Sequence, residues 1–154
     1  MADQITQQLL EHPIFKGMSF SAISDIIRCA SEKTFSRSET IFLEGENAQH
    51  CYLILRGSVD LSIHTHNRGP ITIQSLHGGD VLGWSWLFSP FIWHFDAIAK
   101  EKTNTIRLDG QSIRKICQED SKIGYELMKR FSRVMQERLM ATRLQLVDMY
   151  GKYS

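Results

Sequence analysis

The residues with the clearest potential for chemistry lie at positions 78–99, in the segment GGDVLGWSWLFSPFIWHFDAIA. Two glycines and Asp80 mark a turn, a short apolar run follows, and Gly83 then precedes a serine, Ser85, that stands between two tryptophans. A strand that ends in glycine and continues into a short helix leaves backbone N–H groups free, and these can hold an anion such as a phosphate. The segment therefore predicts an anion-binding loop.

Three tryptophans, Trp84, Trp86 and Trp93, dominate this segment. Their rings could form an aromatic pocket that stacks a base or holds an apolar ligand, or they could fill a loop that binds nothing. The sequence leaves both interpretations open. An indole can donate a hydrogen bond but cannot accept one, which limits what Trp84 can offer a ligand.

Other chemistry has little support in the sequence. His64 and His66 alternate along a predicted strand, but two histidines without a third ligand nearby do not predict a metal site. No nucleophile stands beside an evident base, and no loop carries paired carboxylates. We therefore expect neither a metal site nor an enzyme.

The composition is that of an ordinary globular domain. The 154 residues are 42% hydrophobic, and 18 basic against 17 acidic residues give a net charge of +1, which predicts no affinity for nucleic acid or membrane surfaces. Three widely spaced cysteines favour reduced thiols, and no stretch approaches eighteen apolar residues. We expect one cytoplasmic domain over residues 1–154 with no membrane association.

Hydrophobic periodicity divides the chain into three parts. Residues 1–32 predict two helices, the first over 4–11 and the second capped by Ser19 or Ser21. Residues 33–109 show a period of two. Candidate strands are 33–35, 40–43, 51–55, 58–65, 71–76, 81–83, 94–99 and 104–108. The fold class is mainly β with flanking helices: an eight-stranded antiparallel jelly roll.

Residues 111–150 predict two C-terminal helices, over about 111–118 and 121–150, the longer one capped by Asp120 or Ser121. The apolar stripe of the long helix is wide enough for one part to lie on the roll while another meets a partner helix. The helix also carries a row of basic residues, which we interpret as a solvated face. These are Lys122, Lys129, Arg130, Arg133, Arg138 and Arg143.

Several segments together resemble the cyclic nucleotide-binding domain family, which includes catabolite-activator-like and Fnr-like sensors and kinase regulatory subunits. The resembling segments are HPIFKG at 12–17, IFLEGE at 41–46, CYLILRGSV at 51–59 and GDVLG at 79–83. The resemblance covers roughly residues 10–145. It implies a β-roll in which residues 78–99 form the phosphate-binding cassette, and a long helix that covers the ligand and dimerises.

The cassette departs from the family pattern at two positions. Trp84 stands where the family has a glutamate that binds the ribose hydroxyl. At the position of the family's phosphate-binding arginine, an ungapped count places His94 and an alternative alignment places Phe95. Asp96 is either structural or a partner that keeps the His94 imidazole charged. The candidate ligand-binding residues are Gly83, Trp84, Ser85, Trp86, Leu87, His94, Phe95 and Asp96.

The resemblance and the departures predict a non-catalytic ligand-sensing module. No cofactor is assigned; the ligand would be a cyclic nucleotide or another small anionic or aromatic compound. We expect a homodimer formed through the C-terminal helix and a separate downstream protein partner. Because the sequence ends at Ser154, without a helix-turn-helix domain, direct DNA binding is not expected. The alternative is a ligand-free module for dimerisation and protein interaction.

Overall fold

The computed structural model describes residues 2–151 of the chain. Four helices lie at the two ends: α1 (Ala2–Glu11), α2 (Phe20–Ile27), α3 (Gly110–Glu119) and α4 (Ser121–Gly151). Between them run β1 (Ala30–Phe35), β2 (Thr40–Phe42), β3 (His50–Arg56), β4 (Ser58–Thr65), β5 (Gly69–His77), β6 (Val81–Leu82), β7 (Asp96–Ala99) and β8 (Thr103–Asp109). A 3-10 turn, Ser85–Leu87, follows β6.

The eight strands form two four-stranded sheets, in the orders β1-β8-β3-β6 and β2-β7-β4-β5, and every pairing is antiparallel. Apolar side chains of both sheets, such as Leu53, Leu61 and Ile106, are buried. In β3 the four consecutive residues 51–54 are buried, so both faces of that strand are covered. The predicted antiparallel roll with flanking helices is confirmed.

Strands β1 and β5 begin at Ala30 and Gly69, three and two residues before the expected starts. Strand β7 begins later than expected, at Asp96 rather than at position 94. The preceding backbone pairs instead with the turn after β2: Gly45 donates to the Trp93 carbonyl at 2.8 Å, and Trp93 donates to the Glu46 carbonyl at 2.9 Å. His94 and Phe95 therefore lie in a connecting segment. The alternation of the sequence could not show this, because the competing partner is a turn nearly fifty residues away.

Helices α2, α3 and α4 are each preceded by a residue whose side chain accepts a hydrogen bond from a backbone N–H of the first turn. Ser19 caps α2 by accepting from Ala22 at 3.3 Å, which decides between the two predicted serines. Asp109 caps α3, and the Asp120 carboxylate accepts from the second and third residues of α4 at 3.1 and 3.3 Å. These caps fix where α3 and α4 leave the roll.

The first part of α4 lies on the roll, where Ile123, Leu127 and Phe131 are buried. Farther along, apolar side chains face solvent: Leu139, Leu144 and Val147 are 63%, 66% and 66% exposed. Within the described residues, no helix combines the length and apolar character that a membrane crossing requires.

Candidate ligand-binding site

The cassette turns at Gly83, between β6 and the 3-10 turn. The backbone there has φ of +83°, in the left-handed region that side chains disfavour. A Cβ at Gly83 would also lie 2.3 Å from Cζ3 of Trp93. Glycine is therefore required twice, by the backbone conformation and by the approach of the indole.

Two of the three cassette tryptophans belong to the core. Trp86 is fully buried, donates from Nε1 to the Gly83 carbonyl at 3.2 Å and meets the Phe131 ring of α4 edge-on at 5.3 Å. Trp93, 2% exposed, stacks on Phe42 with centroids 3.7 Å apart and planes within 3°. These two indoles fill the interior of the cassette, where they join it to both the roll and α4.

The remaining residues at the start of the cassette are more accessible. Trp84, Ser85 and Leu87 are each half-buried. The Leu87 N–H donates to the Trp84 carbonyl at 2.9 Å, which closes the 3-10 turn. Trp84 is thus the one cassette indole with an exposed portion.

At the far end of the cassette, the structure separates three residues that the sequence grouped. His94 is exposed, whereas Phe95 is half-buried with its ring 5.6 Å from that of Phe42. Asp96 is buried: its Oδ1 accepts from the Glu44 N–H and its Oδ2 lies 2.8 Å from Nε2 of His64. Its histidine partner is therefore His64 on β4 and not His94. Of the two roles expected for Asp96, these contacts support the structural one rather than a pairing with His94.

An open groove lies beside the cassette, between α4 and the roll. It has a volume of about 550 Å³ and is bounded by residues 13–16, the end of β5, the turn before β6, and the face of α4 from Glu126 to Arg138. Volumes of this order suit small ligands. None of the eight predicted binding residues lines it.

Arg138 of α4 joins this groove to the cassette. Its Nη2 donates to the Val81 carbonyl, and its guanidinium carbon lies 5.0 Å from the centroid of the Trp84 ring, within cation–π range. Its Nη1 is enclosed and has no hydrogen-bond acceptor among the described residues. Burial lowers the pKa of Arg138, which Asp80 partly opposes.

The sequence suggested that the basic row of α4 is a solvated face, but the structure shows that part of this row makes contacts with the rest of the protein. Arg130 binds Glu126 through Nε at 2.9 Å and donates from Nη1 to the carbonyls of Ile14 and Lys16, each at 2.9 Å. This arginine fastens α4 to the link between α1 and α2. Arg138 is half-buried as well, so two members of the row have structural contacts.

Sequence reasoning missed Arg138, although a signal existed. Phe131, Val134 and Arg138 are separated by three and four residues, so Arg138 continues the apolar face of α4 that lies on the roll. A charge within such a face requires a partner or a ligand. What spacing could not show is that Trp84 and Val81 lie opposite it.

An eight-stranded roll with a glycine-turned cassette, covered by a long C-terminal helix, defines a cyclic nucleotide-binding-like sensor domain. The chain belongs to this family: the family model described as "Cyclic nucleotide-binding domain" matches residues 32–120. This domain family is non-catalytic.

Among curated proteins, the chain is similar to the "CRP-like cAMP-activated global transcriptional regulator" of Mycobacterium tuberculosis, with 24% identity over 136 residues, 88% of this chain and 59% of the relative. It is also 33% identical over 84 residues to "Cyclic nucleotide-gated ion channel 2" of Arabidopsis thaliana, covering 52% of this chain and 11% of the relative. The chain thus spans about three fifths of the length of the mycobacterial relative.

Solved structures show the same fold. A putative cyclic nucleotide-binding protein from Geobacter metallireducens superposes with a TM-score of 0.79 at 24% identity, covering 87% of this chain and 97% of that one. A cyclic nucleotide-binding domain from Methylobacillus flagellatus gives a TM-score of 0.83 at 18% identity, covering 96% and 85%. At these identities the likeness concerns the fold alone.

Proposed function

We propose that this protein is a ligand-sensing regulatory module in which occupancy of the cassette region changes the position of α4. The observation that carries this proposal is the double contact between the two elements. Phe131 meets Trp86 at 5.3 Å, and Arg138 lies over Trp84. A ligand that alters either contact therefore acts on the cassette and on α4 together. This requires that the ligand bind more tightly to one arrangement of α4 than to the other.

The proposed ligand is a cyclic nucleotide or another small anionic or aromatic compound. The name of the mycobacterial relative indicates activation by cyclic AMP. This chain keeps the cassette glycine but has Trp84 in place of the expected carboxylate, and an indole cannot accept a hydrogen bond from a ribose hydroxyl. We therefore expect weaker binding of cyclic AMP than of the physiological ligand.

The output is proposed to pass through the exposed end of α4. Leu139, Leu144 and Val147 are exposed apolar side chains on this helix. Burial of these side chains against a second copy would form a homodimer, which could then act on a separate protein. Light scattering on wild type and on Leu144→Glu measures this: we expect a dimer that the charge dissociates, and a wild-type monomer would contradict it.

The function itself is tested by calorimetric titration with cyclic AMP and cyclic GMP, at pH 6 and pH 8, alongside a thermal-shift screen of nucleotides and metabolites. We expect at least one compound to bind and to raise the unfolding temperature. Stronger cyclic nucleotide binding at pH 6 would indicate a histidine such as His94 as the phosphate contact. A screen without any binder would contradict sensing.

The second candidate is a ligand-free dimerisation and interaction module. It is favoured by the burial of Trp86 and Trp93, whose rings occupy the interior of the cassette. This candidate predicts a dimer whose stability and helix exposure no small molecule alters. The same titrations and light scattering therefore separate the two candidates.

A further inference from the structure

We propose that the groove between α4 and the roll binds an anionic group, a phosphate or a carboxylate, and that Arg138 supplies the charge for it from the helix side. This inference rests on the proposed sensing function and names its ligand class. It also places the anion contact on α4 rather than on His94 or Phe95.

The bonding of Arg138 is incomplete. A guanidinium carries five N–H donors in a planar fork that matches two oxygens of a phosphate or carboxylate. Here one nitrogen donates to the Val81 carbonyl, the plane lies over Trp84, and Nη1 has no acceptor among the described residues. No carboxylate within the described part of the chain forms an ion pair with it. An enclosed charge of this kind is unfavourable unless a partner completes it.

The walls of the groove carry a surplus of positive charge. Five cations line it, namely Lys16, Lys129, Arg130, Arg133 and Arg138, against the three carboxylates of Asp80, Glu126 and Glu137. Two of these charges cancel in the Arg130–Glu126 pair at 2.9 Å. Asp80 is already engaged, since its Oδ2 accepts from the His77 N–H at 2.8 Å. The exposed Lys129 and Arg133 are therefore available to attract an anion toward Arg138.

An anion at this site would compete with the contacts that hold α4 to the cassette. Because Nη1 is enclosed, the guanidinium must turn away from Trp84 to place two N–H groups on the ligand. Binding therefore changes the Arg138–Trp84 contact, and the groove becomes the place where the ligand acts on α4. The intrinsic tryptophan fluorescence, to which Trp84, Trp86 and Trp93 all contribute, should change on binding.

The test is calorimetric titration of the full chain with inorganic pyrophosphate and, separately, with citrate, which distinguish a phosphate from a carboxylate ligand. We expect wild type to bind at least one of them, more weakly at higher salt. Arg138→Gln should weaken binding about tenfold or more, the loss expected for hydrogen bonds to a charged group. Arg143→Gln, an exposed arginine on the same helix outside the groove, is the matched control and should change binding less than about twofold.

Three further measurements test the site even if Arg138→Gln does not fold. Arg133→Gln removes an exposed charge of the groove and should weaken binding about two- to fivefold, as a screened contact does. In wild type, the bound probe should protect amides of residues 74–81 and 129–138 from hydrogen exchange. Binding should not strengthen from pH 8 to pH 6, because an arginine remains charged at both and the probes are more fully ionised at pH 8.

Failure of both anions to bind wild type, or an equal loss in Arg138→Gln and Arg143→Gln, overturns this inference. Binding that strengthens markedly at pH 6 and survives Arg138→Gln also overturns it, in favour of a histidine contact. The sensing function is judged separately: if neither anion binds but an uncharged compound stabilises the protein and protects the cassette, the sensing function is upheld and the anion site is refuted.

Discussion

Replacement of Gly83 by alanine tests the packing of the cassette. The new methyl group would lie 2.3 Å from Cζ3 and 2.6 Å from Cη2 of Trp93, a ring that is already stacked on Phe42. The backbone at φ +83° adds a penalty of about 1–2 kcal/mol for a residue with a side chain. Displacement of a packed ring adds about 1–3 kcal/mol. We therefore expect a loss of unfolding free energy of about 2–5 kcal/mol.

Gly45→Ala provides the matched control. Gly45 has nearly the same backbone, with φ of +89°, but an added Cβ would meet nothing within 4 Å. Urea denaturation followed by far-UV circular dichroism gives both free energies, and their difference isolates the overlap with Trp93. In a Trp93→Leu background, Gly83→Ala should cost less unfolding free energy than it does in wild type. Equal losses at Gly83 and Gly45 would refute the account of the cassette interior.

Three further predictions concern other buried groups. Asp96→Ala leaves the Glu44 N–H without its acceptor and should lower the unfolding free energy by about 1–3 kcal/mol, whereas Asp96→Asn, which can still accept, should lower it less in urea denaturation. Burial lowers the pKa of His12, so below about pH 6.5 the unfolded chain binds more protons than the folded protein. The unfolding free energy should therefore fall from pH 7 to pH 5, and in His12→Asn this decline should be shallower. An equal decline in wild type and His12→Asn would contradict this reasoning. Burial also raises the pKa of Cys51, so mass spectrometry after thiol labelling should find it unmodified until the protein unfolds.

Much of the fold follows from local sequence patterns. The period of two, the glycine turns and the helix caps predicted eight strands and the flanking helices, because each signal acts over a few residues. Boundaries failed where a distant partner decides them. His94 and Phe95 extend the alternating pattern of β7, but Trp93, the residue before them, pairs elsewhere. Its carbonyl accepts from the Gly45 N–H, and its own N–H donates to the Glu46 carbonyl.

The candidate site was harder to predict for the same reason. Residue types in the cassette indicated an anion-binding loop, yet the sequence could not show which indoles enter the core. The partner of Asp96 is His64, which lies 32 positions away on another strand. Likewise, the contact of Arg138 with Trp84 depends on how α4 crosses the roll. Only assembled tertiary structure brings these groups together.

The central claim is that ligand binding acts on the cassette and on α4 together. The most direct measurement is amide hydrogen exchange, by mass spectrometry, on wild type with and without the strongest binder from the screen. We predict that peptides covering residues 81–88 and 128–138 change exchange at the same ligand concentration, and that Arg138→Gln weakens the response of α4 at equal occupancy. A saturated cassette with no change in the exchange of α4 would contradict the claim.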